Sequence, residues 1–159
     1  MNKNVKYFYK NKQVIILLLA SIIVYKMLKT QVEGFYSKKE RIFISIASYR
    51  DADCPKTIQN AFKQARYPDR IFIGLCQQNH EKDLDCFKKS NRKNQIKNIK
   101  MSHLKAKGPT YARYLCSTLW RGEEYYFQID SHMDFEKDWD STLIRLLKEC
   151  PGDINKNVL

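Results

Sequence analysis

A chain of 159 residues with 43% hydrophobic and 13% aromatic content can bury one modest core, which excludes an intrinsically disordered protein. Four Pro and five Gly exclude a long flexible linker, and no internal repeat occurs. The formal charge of +12 suits a polyanion such as nucleic acid, an anionic membrane face or a nucleotide diphosphate, although lysines spread through a Lys- and Asn-rich chain read mainly as solvated surface.

Residues 1–12 form a basic tail. The run "VIILLLASIIV" (14–24) then carries no charge. Tyr25, Met27 and Leu28 extend it to about 15 apolar residues, short of the ~20 that a spanning helix wants, and Lys26 can snorkel to lengthen it. Tyr7, Phe8, Tyr9 and Tyr25 flank it as interfacial anchors do. A cleaved signal peptide is the rival, but no A-x-A-like site follows. A buried core helix fits badly, because the run is apolar on every side. Residues 13–28 therefore read as an uncleaved signal anchor and 29–40 as a polar stem. Lysines lie on both flanks and do not decide the orientation.

Beyond the stem, "IFISIA" (42–47) is continuously apolar and reads as a buried strand. "DCPKTIQNAFKQA" (53–65) is an amphipathic helix, with Pro55 in its first turn, Asp53 as its expected cap, and Ile58, Ala61, Phe62 and Ala65 on one face. "RIFIGLC" (70–76) is a second buried strand. A short helix is expected over 84–89 and a third strand over 96–104. "GPTYARYLCSTLWRG" (108–122) is a helix opened by Gly108-Pro109 with Ala112, Leu115, Cys116 and Leu119 inward. "YYFQID" (125–130) is the fourth strand, and "WDSTLIRLLKEC" (139–150) a last helix stopped by Pro151-Gly152. This alternation predicts an α/β domain with a mostly parallel, Rossmann-like sheet and flanking helices.

The five cysteines, Cys54, Cys76, Cys86, Cys116 and Cys150, contain no CxxC pair. An odd number leaves at least one thiol outside any internal disulfide, and Cys54, Cys76 and Cys116 read as small core residues.

Ligands of parallel sheets sit beyond the C-terminal ends of the strands. That rim collects "SYRD" (48–51), "CQQNH" (76–80) and "DSH" (130–132). Asp130 and His132, two apart in an extended chain, point the same way. A carboxylate oxygen and an imidazole nitrogen can share one divalent cation, and the set suits Mn²⁺, with open positions for phosphate oxygens. The plainer alternative is a polar strand end with a surface histidine. Arg113 stands in the first turns of its helix, where anions are favoured, or is a simple exposed cation. Arg50 has the same two readings, phosphate contact or surface ion pair, and Asp51 could bond a ribose or base. His80 and His103 read as isolated surface residues. The basic cluster "KKSNRKNQIKNIK" (88–100) keeps a nucleic-acid-binding, membrane-associated protein as an alternative, but no recognition motif accompanies it.

Taken together, "IFISIASYRD", "RIFIGLCQQ", "AKGPTYARYLCSTLWRGEEYYFQIDSHMDF" and the "WD" at 139–140 resemble the GlcNAc-transferases that modify Thr or hydroxyproline of proteins, a family that includes the Skp1 hydroxyproline GlcNAc-transferase. The resemblance implies a GT-A fold, UDP-GlcNAc as donor, a protein hydroxyl as acceptor, a divalent cation (usually Mn²⁺) and retention of configuration. It implies that Asp130 and His132 are the metal ligands of a D-x-H motif. It also implies that Ser48, Tyr49, Arg50, Asp51, Arg113 and Asp130 face the nucleotide sugar. The resemblance covers residues 41–145 and the chain ends at "CPGDINKNVL", so the expectation is a partial GT-A domain over 41–159, its N-terminal half, in a truncated enzyme or an inactive paralogue. With the anchor, the expected place is the ER or Golgi membrane as a single-pass type II protein with a lumenal domain. The hydroxyproline branch of the family works in cytosol and keeps that face open. No nucleic-acid partner is implied.

Overall fold

The computed structural model describes residues 14–31, 40–87, 90–153 and 156–158. It divides into two units, residues 1–39 and 40–159. The basic tail expected over 1–12 and residues 32–39 of the expected stem lie outside the described residues.

In the first unit, helix α1 (Val14–Gln31) is long and apolar enough to cross a membrane, the one such helix among the described residues. Its 18 residues rise about 27 Å, close to the ~30 Å hydrocarbon core. The two hydroxyls along it are satisfied within the helix, Ser21 donating to the Leu18 carbonyl at 2.8 Å and Thr30 to that of Lys26 at 2.9 Å. Such internal bonding is what an apolar solvent demands.

In the second unit the elements run β1 (Ile42–Tyr49), α2 (Cys54–Gln64), β2 (Ile71–Asn79), β3 (Ile96–Ser102), α3 (Pro109–Ser117), β4 (Tyr125–Asp130) and α4 (Trp139–Glu149). The four strands form one parallel sheet in the order β3-β2-β1-β4, as the β/α alternation predicts. Ile42, Ile44 and Ile46 of β1 lie beside Ile71, Ile73 and Leu75 of β2. This side of the sheet is the main core, closed by Ile58, Ala61 and Phe62 of α2 and by Trp139 and Ile144 of α4. The other side carries α3, whose Ala112 and Cys116 pack on Cys76. The fully buried Cys116 thiol donates to the Ile46 carbonyl at 3.1 Å, so it needs no partner from solvent.

Gly74 lets α3 and β1 come this close. A Cβ there would stand 2.2 Å from Phe43 Cζ and 3.2 Å from the Cys116 carbonyl oxygen. Phe43 is itself buried under Tyr126, with ring centroids 5.3 Å apart, and has nowhere to move. Gly74→Val should therefore lower the free energy of unfolding by about 1–3 kcal/mol or more, an overpacking effect that chemical denaturation would measure.

Three local expectations change. The helix expected over 84–89 is not formed in the described residues 84–87, which are coil and turn. Side chains capture that backbone instead. Asp85 accepts from the Phe87 amide at 3.2 Å, and Gln77 Oε1 accepts from the Cys86 amide at 2.8 Å. Cys54 is not a plain core thiol. It forms a disulfide with Cys86, tying the start of α2 to the β2–β3 connection, while Cys76, Cys116 and Cys150 are free. Asp53 occupies the cap position of α2 but makes no side-chain cap bond. Its own amide donates to Asp51 Oδ1 at 2.9 Å.

Candidate functional site

Strand order locates the site. From β1 the chain winds outward to β2 and β3. It then crosses back through α3 on the opposite side of the sheet to reach β4 on the far side of β1. The direction of winding reverses between β1 and β4, and at such a switch point the loops part and leave a crevice at the strands' C-terminal ends. The β1 loop brings Arg50 and Asp51 there, and β4 brings Asp130, Ser131 and His132.

Asp130 is the last residue of β4 and sits across from Ala47 of β1. Its side chain, 59% exposed, points to the α3 side and meets Arg113, whose Nη2 donates to Asp130 Oδ1 at 3.0 Å. Arg113 is placed by the entry into α3. Gly108 has φ 87° and ψ 171°, a conformation essentially confined to glycine, and it turns the chain so that Pro109 starts the helix at the rim. The helix start favours anions at that corner of the crevice, where the guanidinium is paired with Asp130.

After Asp130 the chain bends rather than continuing as a strand, so Asp130 and His132 do not share a face by simple alternation. The bend is held against α2. Met133 N donates to Thr57 Oγ1 at 2.9 Å, Phe135 N to Asn60 Oδ1 at 2.6 Å, and Asp138 N to the Gln64 carbonyl at 2.7 Å. His132 is 64% exposed in its side chain, and its Nδ1 lies 2.9 Å from Asp51 Oδ2. That same oxygen accepts from Ser131 Oγ at 2.5 Å.

Partial burial pushes the Asp51 carboxyl up, but bonds from Ser131, His132 and the Asp53 amide outweigh it and hold it below its usual range. The hydrogen bond to Asp51, then that carboxylate's charge, raise His132 above its ordinary value, and Asp130 adds to the same field.

The remaining candidates separate. Tyr49 projects its ring into solvent on the α3 side of the rim. Arg50 adopts a left-handed conformation with φ 49° and is held by Asp83, Nε to Oδ2 at 2.9 Å. Ser48 is fully buried on the other side of the sheet, its Oγ 3.7 Å from Cys86 Sγ, and is not brought together with the rest. His80 and His103, expected as isolated surface residues, are half-buried and face each other with ring centroids 5.4 Å apart, because β2 and β3 end side by side.

Sequence reasoning missed Thr57, Asn60 and Gln64 as supports of the D-x-H bend. Thr57 and Asn60, three apart on α2, act through their side chains and read as ordinary helix polarity until the chain after β4 is laid beside them, while Gln64 acts through its main-chain carbonyl, which no side-chain pattern announces.

A search of curated proteins finds no match, and a search of solved structures finds none. A family model described as Glycosyltransferase (GlcNAc) matches residues 41–93 and 87–159, which together take in the chain from β1 onward.

Proposed function

The chain belongs to the GlcNAc glycosyltransferase family, and from that premise we propose that it transfers GlcNAc from UDP-GlcNAc to a Thr, Ser or hydroxyproline hydroxyl of a protein. The observation that carries this reading is that two pairs, Arg113–Asp130 and His132–Asp51, stand on the loops at the switch point of the sheet. The scaffold fits a GT-A nucleotide-binding half.

Asp130 and His132 fit a divalent cation such as Mn²⁺ by their chemistry. Both are exposed, one offers a carboxylate oxygen, and the other has Nδ1 already engaged and Nε2 open. Two protein ligands would leave positions for diphosphate oxygens; among the described residues no group of three or more His, Cys, Asp or Glu could hold a metal by itself. Such an ion supplies neutralisation of the charge that builds on the departing UDP. Arg113, midway along α3, binds the same diphosphate from the other side. The Tyr49 ring and Arg50 flank the place left for the nucleoside and sugar.

We further read α1 as a single-pass, type II anchor that holds the domain in the ER or Golgi lumen. The Cys54–Cys86 disulfide supports an oxidising compartment, because such bonds are rare in cytosol.

Calorimetry of the full chain in detergent micelles tests the donor and the metal together. Titrating UDP-GlcNAc with Mn²⁺ present should give saturable binding, and a chelator should reduce it at least tenfold. Binding of equal strength in chelator removes the cation from the reading, and no binding under either condition removes the donor.

A further inference from the structure

We propose that Asp51 is the positioning residue for His132, fixing the imidazole so that Nε2 faces outward with the lone pair a divalent cation requires. This deepens the reading of Asp130 and His132 as cation ligands and rests on it. The expectation from the sequence had Asp51 facing the nucleotide. In the structure its side chain is 17% exposed and both oxygens are spent on the protein. Oδ1 accepts from the Asp53 amide at 2.9 Å, and Oδ2 takes Ser131 Oγ at 2.5 Å and His132 Nδ1 at 2.9 Å.

An ionised carboxylate can only accept hydrogen bonds, so His132 Nδ1 carries the hydrogen. In the neutral ring this leaves Nε2 unprotonated. The bond also selects one ring orientation for a side chain that solvent would otherwise leave free. Its anchor is stiff: Asp51 is braced by the α2 start, and the chain after His132 is pinned at Thr57 and Asn60. A carboxylate behind a ligating imidazole raises its basicity and holds its tautomer, and losing one typically weakens metal affinity 10–100-fold. The loops beyond β1 and β4 would thus share one device, the first aiming a ligand that the second carries.

The test uses the full chain in micelles with ¹⁵N-labelled histidine. In metal-free protein at alkaline pH, the His132 nitrogens should show hydrogen on Nδ1 and none on Nε2. Hydrogen on Nε2 instead overturns the proposal without any variant being made. Titration with Mn²⁺ alone, followed by electron paramagnetic resonance, should then show Asp51→Asn binding 10–100-fold more weakly than wild type. Equal affinity for wild type and Asp51→Asn, with Asp130→Ala impaired, sinks the role of Asp51 and leaves the ligand assignment standing. Absence of Mn²⁺ binding by wild type sinks the ligand assignment and this proposal with it.

Discussion

Asp130→Ala is expected to reduce Mn²⁺-dependent UDP-GlcNAc binding and any transfer by roughly 100-fold or more, while leaving the melting temperature almost unchanged. A cation stabilises diphosphate charge by several kcal/mol, and each 1.36 kcal/mol is about a factor of ten. Asp130 is one of two proposed protein ligands, so its loss leaves too few donors to retain the ion. Stability should hardly respond. The carboxylate is mostly in water, its partner Arg113 is also exposed, and such pairs contribute about 1 kcal/mol or less. The pairing of large functional loss with small stability loss is the signature to look for. A variant that binds donor as wild type does would show that Asp130 serves only Arg113.

Asp140→Ala should do the opposite, lowering the free energy of unfolding by about 3–5 kcal/mol, as chemical denaturation would register. The Asp140 carboxylate, in the first turn of α4, is fully buried. It accepts the Arg66 amide at 2.8 Å, the Tyr67 amide at 3.0 Å and Arg70 Nε at 3.1 Å, and Arg70 Nη2 lies 2.9 Å away. Arg70 is only 3% exposed, so truncating Asp140 strips a buried guanidinium of its nearest countercharge and leaves its Nε and two amides without their acceptor. Glu40 at 3.1 Å and Ser141 Oγ at 3.1 Å are what remain to it. A loss below about 1 kcal/mol would mean that those two suffice. The neighbouring Trp139 completes this anchor, its indole donating to the Ala61 carbonyl at 2.9 Å and its ring lying between Phe127 and Phe135. The "WD" pair thus joins α4 to the last turn of α2 and the segment just after it, and lies far in role from the D-x-H pair.

The fold was readable where periodicity speaks. The apolar runs of β1 and β2 and the stripe of α2 fall at the expected places, because burial on both sides of a parallel sheet leaves no polar alternation to confuse, whereas α3 keeps Ala112, Leu115 and Cys116 inward but ends at Ser117, short of Leu119 and of the expected bound at 122. Strand order was not readable, since no local pattern encodes which neighbour a strand takes. Neither was the disulfide, because Cys54 and Cys86 are 32 residues apart and meet only through the β2–β3 connection. Asp130, His132, Arg50, Asp51 and Arg113 could be named from strand ends and a helix start. Their pairings could not. Alternation placed Asp130 and His132 on one face, whereas the bend held by α2 sends Asp130 to Arg113 and His132 to Asp51.

The order β3-β2-β1-β4 has a consequence for how the chain is made. β1 leaves the ribosome first among the strands, yet its second edge stays open until Tyr125–Asp130 follows. At roughly 5–20 residues per second, the gap between β1 and β4 lasts several seconds. During that interval the nascent protein presents an unpaired, isoleucine-rich edge, the kind of surface that holdase chaperones shield. Biogenesis of this domain should thus depend on chaperones more at the arrival of its fourth strand than at any earlier step, and ribosome-bound chains halted just before Tyr125 are where that dependence would be greatest.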